Sequence, residues 1–147
     1  MKTVFDQPTR DELITRISKL NESSPIQWGK MNVYQMVKHC TLWEEMSLGR
    51  KKYKRAFIGR LFGKIAMKML LKNEDPMSRN APTIPELRVT GNGDFVAEKQ
   101  KWMELLKEYE YFSNIDFVHP FFGKMSKEQL GYLAYKHTDH HLRQFSS

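Results

Sequence analysis

The sequence is poor in cysteine and in long apolar runs. Its 147 residues include one cysteine, Cys40, so a disulfide within the chain is excluded, which is typical of a protein from a reducing compartment. The most apolar stretch, residues 56–71, is interrupted by three cations and falls short of the roughly 18 apolar residues that a membrane span needs. Residues 1–9 lack the apolar centre of a signal peptide. These absences predict a soluble, cytoplasmic protein with no membrane span.

Extremes of composition and internal repeats are also missing. The chain is 40% hydrophobic and 28% charged. These fractions are typical of globular proteins and differ from those of disordered or fibrous proteins. A chain of this length is of single-domain size and can bury a hydrophobic core without disulfide bonds. We therefore predict one domain, residues 1–147.

Acidic residues are absent from residues 50–72, which contain nine Lys or Arg. This basic segment sets the sign of the net charge of +7, because the rest of the chain carries fifteen basic and seventeen acidic residues. Such a segment can bind nucleic acid or an anionic membrane, so a binding module without catalysis is an alternative function. Its charges wrap around a predicted helix and do not form one basic stripe, which favours a solvated face over nucleic-acid binding.

Apolar residues recur at helical spacing in five segments, and no strand pattern competes with them. Capping boxes are predicted at Thr9 with Glu12 and at Ser126 with Gln129, and Asn32 suits the N-cap of another helix. An all-α fold follows from this pattern. The predicted helices cover about residues 9–21, 32–49, 53–71, 94–109 and 126–144.

The third predicted helix and the segment after it have distinctive compositions. Gly59 and Gly63 lie one turn apart in the helix, where they would allow another helix to approach closely or would weaken this one. Residues 73–93 contain three prolines and predict a long irregular loop. The apolar face predicted for the helix consists of Ile58, Leu61, Phe62, Ile65 and Met69.

Three of the five histidines fall in the last predicted helix, as His137, His140 and His141. His137 and His141 are one turn apart on its apolar side, so both are expected to face the interior. Two imidazoles at this spacing can share a metal ion at about 2.0–2.1 Å, and the ion offsets the cost of burying polar rings. His39, beside the apolar face of the second helix, is the best placed third ligand. The alternative is a surface pair favoured by the helix dipole.

Other polar residues near this cluster have weaker predicted roles. Glu44 and His119 are weak candidates for acid–base chemistry. Glu44 can also contact a ligand imidazole without binding the metal, but such a residue is more often simply solvated. For His119, a structural role in a His-Pro turn is expected equally. Gln144 lies on the inward face and can orient a ligand imidazole. His140, at the edge of that face, can support neighbouring backbone, and Cys40 is expected to pack in the core.

Four segments form a more specific pattern in combination. They are Trp28-Gly29-Lys30-Met31, Met36 with His39, the run of residues 119–124 (HPFFGK), and residues 137–144 (HTDHHLRQ). Together they resemble the DinB-like (YfiT-like) superfamily of metal-dependent enzymes, and within it a subgroup of bacterial proteins with a His-x-x-His-His last helix.

This resemblance implies a fold, a ligand set and a reaction class. The implied fold is a four-helix bundle of up-down-down-up topology, here with an additional helical segment and the Pro-rich loop. The implied ligands of one divalent metal (Zn, Ni or Fe) are His39, His137 and His141. Some members use low-molecular-weight thiols, so we expect thiol-dependent S-transfer to a small electrophile by a homodimer, with metal-dependent hydrolysis as the alternative.

Overall fold

Five α-helices dominate the computed structural model, which describes all residues 1–147. The only strands, β1 (Val118–His119) and β2 (Gly123–Lys124), form a short antiparallel hairpin. The structure is therefore mostly helical, in agreement with the predicted all-α class. The helices are α1 (Gln7–Lys19), α2 (Val33–Ser47), α3 (Phe57–Leu70), α4 (Phe95–Lys107) and α5 (Lys127–Gln144).

Four of the helices, α1, α2, α4 and α5, surround one hydrophobic core. Both α4 and α5 pack against α1 and α2, whereas α3 lies outside this group and packs mainly against β2. None of the five helices is long and apolar enough to cross a membrane. The largest fully buried side chains in the core include Trp102, Tyr109, Phe145, Leu13, Ile17, Met36 and Leu130.

Two of the predicted helix starts are confirmed by their hydrogen bonds. The side chain of Asn32 accepts from the backbone N–H of Gln35 at 2.8 Å, and the Gln35 side chain accepts in return at 3.0 Å. Ser126 and Gln129 make the same reciprocal pair at 3.1 and 3.0 Å. These caps fix where α2 and α5 begin, and both helices supply histidines to the site below.

The capping box predicted at Thr9 is wrong. Helix α1 already begins at Gln7, with Asp6 as its N-cap residue and Pro8 in the first turn. Proline is favoured there because its fixed φ suits a helix and its missing N–H would have had no partner. Thr9 therefore lies inside the helix, where it is 8% exposed.

Helix α3 starts at Phe57, later than the predicted residue 53, and packs on a turn through its two glycines. Its glycines, Gly59 and Gly63, pack against the backbone of Phe121 in the β1–β2 turn and not against another helix. The opposite side of α3 carries large apolar side chains that are each 57–73% exposed. This surface, called the apolar face of α3 below, consists of Phe57, Ile58, Leu61, Phe62, Ile65 and Met69.

Between α3 and α4 the chain has little regular structure. Its one regular element is a 3-10 turn, Pro85–Leu87, which packs on α2. Leu87 is 2% exposed, so this turn anchors the connection in the core. The anchor brings a backbone carbonyl next to His39.

Candidate metal centre

Three histidines from two helices meet in the interior of the molecule. Their candidate ligand nitrogens all lie within 4.8 Å of one another, and the ring centroids are 4.7 to 5.1 Å apart. His39, His137 and His141 are 3%, 7% and 7% exposed. Together these three buried histidines can hold one metal ion.

The local sequence explains why the rings converge. His137 and His141 are one turn apart in α5, so their side chains leave the helix on the same side. His39 lies on the face of α2 that also buries Met36 and Trp43. Because α2 packs against α5, these two faces meet and bring the rings together.

The ring of His39 is held in one tautomer by the Pro85–Leu87 turn. Its Nδ1 lies 2.8 Å from the carbonyl oxygen of Leu87. A carbonyl oxygen only accepts hydrogen bonds, so Nδ1 carries the proton and donates it. In the neutral ring, the lone pair is therefore on Nε2, which faces the other histidines.

His141 is held in the same tautomer by Gln144. The amide nitrogen of Gln144 donates to the carbonyl oxygen of Trp28 at 2.9 Å, which fixes the orientation of the amide. Its oxygen therefore faces His141 and accepts from Nδ1 of that ring at 2.9 Å. The lone pair of His141 is again on Nε2. Oxygen partners on the far nitrogen are typical of histidines that bind metals.

His137 completes the cluster and is the ring with an unmet bonding requirement. Its Nε2 is 3.0 Å from Nε2 of His39, and the indole of Trp43 stacks on it with centroids 4.8 Å apart. Its Nδ1 is buried and has no hydrogen-bond partner. If Nε2 of His137 carries the proton and donates it to His39, Nδ1 of His137 keeps a buried lone pair without a partner. If Nδ1 carries the proton instead, the Nε2 lone pairs of the two rings face each other.

A metal ion fits this arrangement of donors. Nitrogens that bind one tetrahedral ion at 2.0–2.1 Å lie about 3.3 Å apart, close to the 3.0 Å between His39 and His137. A cation between the Nε2 atoms replaces lone-pair repulsion with bonds to both rings. Three neutral nitrogens also leave a tetrahedral ion with a free position, as in catalytic zinc sites.

Burial keeps the three rings neutral, which is the form that binds metals. Desolvation lowers the pKa of His39, and it lowers the pKa values of His137 and His141 further. Proximity of the other imidazoles adds to this effect, because a second positive charge in the cluster would be repelled. No carboxylate bonds to any of the three rings. The hydrogen bonds from His39 to Leu87 and from His141 to Gln144 favour the protonated form, but burial outweighs them.

Glu44 is fully buried and belongs to a different polar cluster, so the solvated interpretation of this residue is wrong. Its carboxylate accepts from the hydroxyl of Tyr109 at 2.6 Å and lies 3.4 Å from that of Thr138. Burial raises the pKa of Glu44 to about 7, although these hydrogen bonds oppose the shift. Its partners are hydroxyls and not the histidine rings, so Glu44 does not orient a ring.

His119 has the bonding of a structural residue. Its Nδ1 accepts from the backbone N–H groups of Phe121 and Phe122 at 3.1 and 3.2 Å. Burial and the nearby Arg55 lower the pKa of His119 to about 3. The ring is therefore a neutral acceptor that closes the β1–β2 turn.

Two further predicted positions can now be described. The ring of His140 lies edge-on to Trp28, with centroids 5.5 Å apart, and edge-on to His141 at 5.1 Å. It therefore packs beside the three-histidine cluster without joining it. Cys40 is completely buried, with its sulfur 3.8 Å from that of Met36, which confirms the predicted core position.

Sequence reasoning missed three residues that shape the site. Trp43 lies one turn after His39, so helical spacing could have identified it as a neighbour. The carbonyl groups of Leu87 and Trp28 could not have been found in this way. They are backbone atoms in irregular segments, where no periodicity indicates their position.

Comparison with known proteins places the chain in a family. A sequence model of the DUF1569 family, described as proteins of unknown function, matches residues 2–147. No curated protein and no solved structure gives a match. Because the family match covers almost the whole chain, this protein belongs to the DUF1569 family.

Proposed function

We propose that this protein is a metal-dependent enzyme in which His39, His137 and His141 hold one divalent ion, with zinc, nickel and iron as the candidates. The observation that carries the proposal is the convergence of three buried neutral imidazoles, two of which are fixed with Nε2 free by acceptors on Nδ1. The proposal includes the DinB-like relationship, with its up-down-down-up bundle, and a small-molecule substrate.

The reaction that we propose is S-transfer from a low-molecular-weight thiol to a small electrophile. A bound divalent ion would supply a Lewis acid that favours the thiolate, which is the nucleophilic form. The thiol releases its proton to water, a sulfur–carbon bond forms, and the bond from that carbon to the leaving group breaks. The leaving group takes the bonding electron pair.

The chain contributes positioning and charge to this reaction. Leu87 and Gln144 hold two of the rings in the tautomer that presents Nε2. All three donors are neutral, so the site keeps the full positive charge of the ion and attracts an anionic thiolate. Metal-assisted hydrolysis uses the same ligands and ranks second, because no carboxylate contacts the rings to act as a base for water.

Metal analysis tests the ligand assignment directly. Wild-type protein, reconstituted with zinc, nickel or iron and then desalted, should retain about one ion per chain by elemental analysis. The His137→Ala variant should lose it, because two imidazoles alone bind weakly. The matched control is His140→Ala, which removes a ring from the same helix outside the cluster and should keep the metal. Retention of stoichiometric metal by His137→Ala would contradict the proposal.

The reaction class needs a separate experiment. Metal-loaded protein is incubated with a panel of thiols and electrophiles, and conjugates are detected by mass spectrometry. Metal-dependent conjugate formation that is lost in His137→Ala supports S-transfer. Ester or amide cleavage without any thiol requirement would identify the hydrolase instead.

A further inference from the structure

The apolar face of α3 carries six of the twelve large apolar side chains that are exposed in the molecule. Its six side chains belong to a single helix, and each is more than half exposed. Scattered exposed apolar residues are ordinary, but a contiguous patch of this kind marks an interaction site in a folded protein. It also has a rigid support, because Gly59 and Gly63 pack tightly on the β1–β2 turn.

A row of cations runs along one border of this face. Arg60, Lys64 and Lys68 are spaced one turn apart and are all exposed, so they lie side by side along the helix. In the basic segment, Arg50 and Lys51 pair with Glu108 and Glu45, but the other cations have no acidic partner. The seven basic residues without an ion pair are Lys52, Lys54, Arg55, Arg60, Lys64, Lys68 and Lys72.

The C-terminal end of α3 is anchored by a contact from α5. The ammonium group of Lys136 donates to the carbonyl oxygens of Leu70 and Asn73 at 2.7 and 2.9 Å. It thereby satisfies carbonyl groups at the C-terminal end of α3, which otherwise lack partners. Lys136 is 7% exposed, so this cation serves the fold. Within the border row, Lys64 donates to the carbonyl oxygen of Lys124 at 2.5 Å, and Arg60 and Lys68 are left for a partner.

We propose that α3 is a docking surface for an anionic lipid bilayer. The helix would lie in the plane of the interface, with its apolar face among the acyl chains and its cations beside the phosphate groups. An exposed apolar sector bordered by Lys and Arg is the pattern of helices that bind in this way. The inference is independent of the proposed metal chemistry.

Charge distinguishes this partner from two others. A second copy of the chain docked through the same face would bring two basic segments together, and like charges at close range oppose such pairing. Nucleic acid would satisfy the cations but would leave six large apolar side chains in water. A bilayer with anionic headgroups accommodates both features at once.

Vesicle flotation tests the proposal with the intact protein. Wild type should float with vesicles of phosphatidylcholine mixed with phosphatidylglycerol, and not with phosphatidylcholine alone. Ile65→Ser should weaken this binding roughly tenfold, because an apolar side chain no longer leaves water. The matched control is Ile115→Ser, which alters a similarly exposed isoleucine outside α3 and should bind as wild type does.

The cations are tested by charge reversal. Arg60→Glu with Lys68→Glu should weaken binding at least about 25-fold, since each basic residue near an anionic surface contributes roughly fivefold. The control, Lys19→Glu with Arg88→Glu, makes the same change in net charge at exposed positions elsewhere and should retain most of the binding. Raised salt should weaken wild-type binding by screening.

Three results would overturn the proposal. One is the absence of vesicle binding at low salt, or equal binding to both vesicle types. Another is a dimer in sedimentation velocity that Ile65→Ser dissociates, which would assign the face to a second copy. The third is binding to duplex DNA that the charge reversal abolishes and Ile65→Ser leaves intact, together with no binding to vesicles.

Discussion

The imidazole rings of the site depend on atoms that are not themselves ligands. The amide of Gln144 holds His141 on one side and the backbone of Trp28 on the other. The carbonyl oxygen of Leu87 does the same for His39. Each of these contacts places a proton on Nδ1 and thereby frees Nε2.

Removal of the Gln144 amide should weaken metal binding. Gln144→Ala leaves Nδ1 of His141 without its acceptor, so the ring can rotate and change tautomer. We expect about a tenfold to hundredfold loss of metal affinity, the usual effect of deleting such a partner. Competition with a chromophoric chelator measures it, with Gln100→Ala on the surface of α4 as the control. Equal affinity in the two variants would contradict the role of Gln144.

Buried Glu44 should make stability depend on pH. Its pKa of about 7 in the folded protein lies above the ordinary value of 4.5, so the folded state binds the proton more tightly than the unfolded state. The stability contributed by Glu44 should therefore fall as pH rises from about 4.5 to about 7, by on the order of 3 kcal/mol, and should stay low above that range. The buried histidines, whose pKa values are lowered, act in the opposite direction, so the Glu44 contribution is measured against a matched variant.

The matched variant for this prediction is Glu44→Gln, which keeps the shape of the side chain and cannot ionise. Urea unfolding of both metal-free proteins across this pH range gives the difference in free energy of unfolding. The variant should gain stability relative to wild type as pH rises. Parallel pH profiles would show that Glu44 does not titrate in this range.

Among the elements, α3 shows best what sequence periodicity can and cannot provide. The spacing of Ile58, Leu61 and Ile65 correctly predicted a helix with one apolar face. It could not say that this face points outward, because the direction depends on which side packs against the rest of the fold. The glycine side of α3 faces the rest of the fold, since only Gly59 and Gly63 allow the backbone of Phe121 to come so close.

A methyl group added at Gly63 should therefore destabilise the protein. Its Cβ would overlap the carbonyl oxygen of Phe121, and overpacking of this kind typically costs about 1–3 kcal/mol. Helix propensity alone predicts the opposite sign, a gain of up to about 1 kcal/mol for Gly63→Ala. Urea unfolding separates the two, with Ala66→Gly in the same helix as the measure of propensity. A more stable Gly63→Ala variant would contradict the packing described here.

Local sequence signals predicted the remaining elements unequally. The caps at Asn32 and Ser126 were correct because a side chain three residues away completes each one. Likewise, the spacing of His137 and His141 placed both rings on the same side of α5. The third ring, His39, is separated from them by about a hundred residues of chain, and only the packing of α2 on α5 brings it there.

In the molecule as a whole, a metal ion would join two helices that are far apart in sequence. Because α2 and α5 both belong to the helices that surround the core, such a link opposes separation of these helices. Any ion that binds only the folded state raises the free energy of unfolding. The effect therefore reports on binding without any assay of activity.

We expect a divalent metal to raise the urea midpoint of the wild-type protein. At a free concentration about 100 times the dissociation constant, the gain in free energy of unfolding is about 2.7 kcal/mol. His141→Ala should lose this gain, His140→Ala should keep it, and a chelator should reverse it. An identical gain in His141→Ala would place the ion somewhere else.

The burial of Cys40 gives the protein an internal reporter of its own opening. The thiol directly follows His39 in α2, is completely enclosed, and has its pKa raised well above the usual value by burial and the nearby Glu44. An alkylating reagent can therefore reach the thiol only when the structure opens and exposes the core. The rate of alkylation measures how often this opening occurs, and an ion bound between α2 and α5 should slow that rate.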